Sequence, residues 1–121
     1  MDLRIDTEKK IAYIKIFGFT TSKQILEALD MTASNEKYQK GMGRLWDFRD
    51  ADLSSLNFQT IRKLGKYSKK FPPGINDVKV AFVSERDLEY GLSRMFEMSS
   101  EANTLISVFR TIDDAEKWLM E

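Results

Sequence analysis

The run Val78-Lys79-Val80-Ala81-Phe82-Val83, bounded by Asp77 and Ser84, carries a single charge in six residues. It is too short for a typical globular helix, rich in β-branched residues and nearly continuous in its apolar character. Those are the marks of a strand covered on both faces, as in the centre of a parallel sheet. The flanks agree. Upstream, Asn57 is a good N-cap, and Ile61, Leu64, Ser68 and Phe71 share one helical stripe that Pro72, Pro73 and Gly74 must end. Downstream, the span from Asp87 to Ser99 predicts a helix with Leu88, Leu92, Met95 and Phe96 as its apolar stripe. Leu105 to Phe109 then predicts another strand. Strands separated by single helices imply right-handed parallel crossovers.

Further out the pattern repeats. Arg44 to Phe48 reads as a strand that ends in an acidic turn marked by Asp47, Asp50 and Asp52, with Gly41 and Gly43 breaking the chain before it. Thr20, Thr21 and Ser22 offer N-caps to a helix reaching about Ala33, with Ile25, Leu26, Leu29 and Ala33 at helical spacing. Ile11 to Gly18 is β-branched and aromatic, and Leu3 to Asp6 pairs with it through the short polar turn from Thr7 to Lys10. At the other end, Thr111 and Asp114 resemble a capping box, and Ile112, Ala115, Trp118 and Leu119 make the closing helix amphipathic. The order is β-β-α-β-α-β-α-β-α. The expected fold class is α/β, with one mixed, mostly parallel sheet of about five strands and about four helices. A chain of 121 residues is near the commonest domain size, so one domain over residues 1–121 is expected.

Composition removes whole classes of chemistry. The sequence has no Cys and no His. A disulfide framework, a thiolate nucleophile, a Cys-based metal centre and a Ser-His or Cys-His triad are therefore impossible within this chain. Nineteen basic and nineteen acidic side chains cancel, which argues against a general polyanion binder, and no nucleic-acid partner is expected. The N-terminus lacks the apolar stretch of a signal peptide and no run approaches a membrane span, so a cytoplasmic protein is expected.

The element succession, the strand-turn segment from Leu45 to Leu53 (LWDFRDADL), the segment from Tyr90 to Glu97 (YGLSRMFE) and the ending Phe109, Ala115, Trp118, Leu119 resemble the SpoIIAA-like family of the STAS superfamily. The resemblance covers nearly the whole chain and implies a SpoIIAA/STAS-like fold. It also implies two kinds of role. Anti-sigma factor antagonists of the superfamily are switched by phosphorylation of a Ser in a DSSG-type loop, and the nearest residues here are Asp52, Leu53, Ser54 and Ser55. Leu53 separates Asp52 from the serines, and Leu56 stands where the Gly would be. The SpoIIAA-like branch also resembles SEC14 or CRAL-TRIO lipid-binding folds, which implies a hydrophobic ligand or a membrane-associated role.

Three surfaces follow from the residues themselves. Arg62, Lys63, Lys66, Lys69 and Lys70 lie opposite Ile61 and Leu64 with no acid between positions 61 and 70. They are either a solvated outer face or a basic strip that steers toward anionic headgroups or an acidic partner, each cation adding about 1 kcal/mol near such a membrane. Tyr90 and Arg94 fall away from the Leu92 stripe, as residues at an interface do, or as ordinary exposed side chains do. Met95, Phe96 and Met98 either pack the core or line an adaptable apolar pocket with Trp46 and Phe48. Asp47, Asp50 and Asp52 lack the Gly and distal Glu of a calcium loop and read as turn and cap acceptors. No catalytic constellation, metal site or cofactor is expected. The reading is a non-enzymatic binding or regulatory module that recognises a protein partner, a second copy of itself in a homodimer, a lipid or small hydrophobic ligand, or a membrane surface.

Overall fold

In the computed structural model, residues 1–72, 74–75, 77–99 and 104–121 are described, with the side chains of Ser68 and Ser99 left aside. The elements run β1 (Asp2–Asp6), β2 (Ile11–Phe19), α1 (Ser22–Ala33), β3 (Gly43–Asp52), α2 (Phe58–Ser68), β4 (Lys79–Val83), α3 (Asp87–Ser99), β5 (Leu105–Phe109) and α4 (Ile112–Leu119). One five-stranded sheet has the order β1-β2-β3-β4-β5, with β1 antiparallel to β2 and the remaining pairs parallel. The sheet is therefore mixed and mostly parallel, as the sequence predicts. The strands lie in chain order, so right-handed crossovers carry α1, α2 and α3 onto the same face. One core, around Trp46, Phe48, Val80 and Phe82, lies beneath these helices. The other, around Leu45, Ala81, Val83 and Ala115, lies beneath α4.

The strand β3 is twice the length read from the sequence, and the expected acidic turn is strand. Its pairing with β2 shifts between Lys15↔Asp47 and Phe17↔Asp50, so β3 carries one extra residue there. Such a bulge reverses the inside–outside alternation. Before it, Trp46 and Phe48 face the α1–α3 core; after it, Ala51 and Leu53 do. Asp50 is turned out to an ion pair with Lys15 at 3.1 Å.

Helix α2 ends at Ser68, short of the expected Phe71. Lys69 bonds back to Lys66 over a tightened last turn, and the proline at position 72 disfavours helical backbone at Phe71. Phe71 stays half-buried by meeting Tyr67 edge-on, with ring centres 5.9 Å apart. Pro73, another of the three residues expected to stop this helix, lies outside the described residues.

Helix α4 is tied to β2 through Tyr13, whose hydroxyl donates to Glu116 Oε2 at 2.7 Å, beside Lys9 at 3.1 Å from the same oxygen. Burial, and then the hydrogen bond to Glu116, push the Tyr13 phenol from 10.0 up to about 12. The unfolded chain therefore loses this proton first. Its contribution to stability is complete below pH 10 and is lost as pH rises toward 12. Urea titrations between those values should show wild type losing stability faster than Tyr13→Phe. Equal slopes for the two proteins would remove Tyr13 as the cause.

Candidate functional site

The layer of α1, α2 and α3 does not close completely on the sheet. Between them lies a cavity of about 80 Å³. Its floor is made by side chains that alternate along three neighbouring strands, Arg44, Trp46 and Phe48 of β3, Val80 and Phe82 of β4, and Ile106 of β5. Ile25 and Leu29 of α1, Ile61 and Leu64 of α2, and Leu92 and Phe96 of α3 make the roof. Capping fixes two of these helices in place. Thr21 and Gln24 exchange hydrogen bonds at the start of α1, as do Asn57 and Thr60 at the start of α2. Four aromatic rings run in succession through the wall, with centres 5.9 Å apart for Trp46–Phe48, 5.7 Å for Phe48–Phe82 and 5.4 Å for Phe82–Phe96.

Of the pocket residues expected from sequence, Trp46, Phe48 and Phe96 line this cavity. Met95 packs half-buried against the same core without lining the space. Met98 does not belong to the pocket. It is 79% exposed, because two residues beyond Phe96 a helix has turned about 200° away. Leu88, expected on the core stripe of α3, is likewise 53% exposed. The inward position is taken by Glu89, since the neighbouring loop presents an amide that needs an acceptor.

That loop, residues 53–57, joins β3 to α2 and is held from three sides. Glu89, only 1% exposed, accepts from Leu53 N at 3.1 Å through Oε2. Arg86 brings its charge to 2.9 Å from Oε1 and donates to Ala51 O at 2.7 Å. Oε1 has no aligned hydrogen-bond donor, so the Arg86 charge is its compensation. Ser55 Oγ donates to Thr20 O at 2.7 Å, and Asp52 accepts from Ser54 N at 3.0 Å. The hydrogen bonds from Ser54 draw the Asp52 carboxyl below its ordinary value. Ser54 and Ser55 precede the N-cap Asn57, and Ser54 is exposed.

Asp47 is held by Arg49. Burial alone would raise its carboxyl, but Arg49, through two side-chain hydrogen bonds at 2.9 Å and one backbone hydrogen bond, holds it below the usual range. No group of three or more acidic side chains suited to a metal occurs among the described residues.

The basic residues Arg62, Lys63, Lys66, Lys69 and Lys70 are all exposed along α2 and just past its end. Two rest on rings, Arg62 at 5.7 Å from the Phe58 centre and Lys70 at 5.3 Å from the Tyr67 centre. Arg94 pairs with Glu97 at 3.0 Å, as its spacing suggests. Tyr90 is not out on the far side with it. Its ring is half-buried against the core and covered by Arg110 at 4.0 Å. Arg110 in turn donates to Glu85 O at 2.6 Å.

Two residues that the sequence reading did not single out stand at this site. Arg44 is 4% exposed in the cavity floor, and Glu89 anchors the loop. Arg44 precedes Trp46 and Phe48 at strict two-residue spacing, which put it on their face. Glu89 sits three residues before Leu92 and seven before Phe96, which put it on theirs.

A search of solved structures finds a relative with the same architecture, an uncharacterised protein of the DUF3478 family from Shewanella loihica PV-4, described as having a SpoIIAA-like fold. It matches 90% of this chain and 83% of its own at 22% identity, with a TM-score of 0.55. The fold is SpoIIAA-like. No family model and no curated protein matches the sequence. Within this SpoIIAA-like fold the cavity lies between the sheet and its three-helix layer, and among the described residues no helix is long and apolar enough to cross a membrane.

Removing the Glu89 carboxylate should cost about 1–3 kcal/mol, since it leaves the buried Leu53 amide without an acceptor. Glu89→Ala is expected to accelerate hydrogen exchange at the Leu53 amide far more than at Val80. Unchanged exchange at Leu53 would show that the loop is held by other means.

Proposed function

We propose that this chain is a non-enzymatic binding module that takes a small hydrophobic ligand into the cavity under α1, α2 and α3. The supporting observation is the cavity itself, walled by Trp46, Phe48, Phe82 and Phe96 and sized for about five to eight water-sized groups at 10–15 Å³ each. Apolar space in a packed interior forfeits dispersion contacts, so an apolar guest that restores them gains affinity. The guest would be of the order of a substituted benzene ring or a short alkyl chain, smaller than the ligand of a drug-sized pocket.

The exposed cations of α2 give the module a face suited to an anionic membrane surface or an acidic partner, with self-association as the other mode of interaction. Among the described residues, no carboxylate stands within ion-pair distance of Lys63 or Lys66. A peripheral membrane contact of this kind predicts that Lys63→Glu with Lys66→Glu weakens sedimentation with phosphatidylserine vesicles at low salt. Undiminished sedimentation would confine the module to other partners.

A second reading, a phospho-switched interaction domain, draws on the exposure of Ser54 in a loop held by Glu89 and Arg86. A phosphate there would bring about −1.5 to −2 charges next to Asp52 and Arg86. Intact mass of protein treated with cell extract and ATP should then show one added phosphate, absent in Ser54→Ala.

Toluene, a neutral probe, tests the ligand reading directly. Titration should shift the NMR signals of Ile25, Trp46 and Phe96, and Leu92→Trp, which fills the space, should abolish those shifts. Signals that stay still at saturating toluene would refute a ligand cavity.

A further inference from the structure

Arg44 is an unusual residue to find in the floor of an apolar cavity. Its Nη1 donates to Tyr38 Oη at 2.8 Å and to the carbonyl oxygen of Ile75 at 2.7 Å, both neutral acceptors. Its Nε is buried and has no hydrogen-bond partner. Among the described residues, no carboxylate comes within ion-pair distance of the guanidinium. A guanidinium keeps its charge at any ordinary pH, and burying it without a counter-charge is costly. The contrast with Glu89 is direct, since that buried carboxylate has Arg86 beside it.

We infer that the ligand of this cavity is an apolar monocarboxylate whose acid group is received by Arg44. The inference rests on the cavity being a ligand site and adds the chemical class of what enters. The register of the sheet sets the orientation. Arg44, Val80 and Ile106 stand side by side across β3, β4 and β5, and Trp46, Phe82 and Val108 form the next row on the same face. The carboxylate lies at the Arg44 row, where Nε offers a donor that nothing else uses. The hydrocarbon extends along the row of Trp46 and Phe82 toward Phe96. A planar carboxylate matches the guanidinium fork and brings the missing charge, which an alcohol or an amide does not. At about 80 Å³ the cavity suits an acid between butanoate and hexanoate in size, on the scale of about 10–15 Å³ for each water-sized group.

The experiment compares hexanoate with 1-hexanol on the intact chain at pH 7, followed by calorimetry and by the Arg44 Nε–H signal in NMR spectra. Hexanoate is expected to bind at least about tenfold more tightly than hexanol and to move the Nε–H signal, as a charge-assisted hydrogen bond does. Arg44→Met should remove that preference while hexanol still binds, and Arg44→Lys should restore only part of it. Should the variants fail to fold, the wild-type Nε–H signal and the hexanoate-to-hexanol ratio decide the matter without them. Equal affinities with an unmoved Nε–H overturn the carboxylate inference and leave the apolar ligand site standing. Failure of hexanoate, hexanol and toluene alike to bind overturns both.

Discussion

The pairing of β2 with β3 sets the positions of nearly everything else in this molecule. A parallel strand covered on both faces must place its large side chains in a fixed alternation, and a slip of one residue would carry Trp46 and Phe48 to the opposite side. The extra residue near Phe48 allows the alternation to restart, so that Ala51 and Leu53 fall on the same face as the two aromatics before them. The same alternation brings Arg44 under the helices. Its burial follows from register, and the fold keeps it only by supplying acceptors from Tyr38 and Ile75.

Two buried charges thus occupy the helical face under different terms. Glu89 is matched: a cation at one oxygen and a backbone amide at the other offset much of the cost of leaving water. Arg44 has neutral acceptors on one nitrogen and none on another. The first arrangement secures a connection, holding the β3–α2 loop to α3. The second leaves a charge without a counter-charge beside an apolar space, a consequence of the packing of the sheet.

The sequence made the architecture legible because its signals were redundant. Val78 to Val83 could be read as a covered strand by composition alone, and Thr21, Asn57 and Thr111 mark three helix starts that the structure retains as N-caps. What misled was local phase. A bulge has no composition of its own, so the sequence of β3 reads as a strand that ends where its alternation breaks. On α3, Leu88 drew the apolar stripe one residue out of phase, hiding Glu89 and placing Tyr90 too far outside. For the site, Trp46, Phe48 and Phe96 were readable as large apolar side chains facing one space. Arg44 shared their spacing, but an arginine in a strand ordinarily reads as an exposed position, and its lack of a counter-charge depends on residues distant in sequence.

The two faces of the sheet show why a cavity belongs to one and not to the other. Among the described residues helix α4 alone covers its side, and it can approach closely. Ala115 is fully buried there, and a Cβ added to Gly43 would meet Leu119 at 3.2 Å. On the opposite side three helices must each follow their own crossover, and each is fixed by its cap, its loop and its strand ends. Three cylinders tied down in this way cannot all settle into the same twisted surface as tightly as one. Large aromatics fill much of the remaining depth, yet rigid rings meeting at angles between 22° and 77° leave space that flexible chains would have filled. Strand order, which sends three consecutive helices to one face, is therefore also what leaves a cavity beneath them.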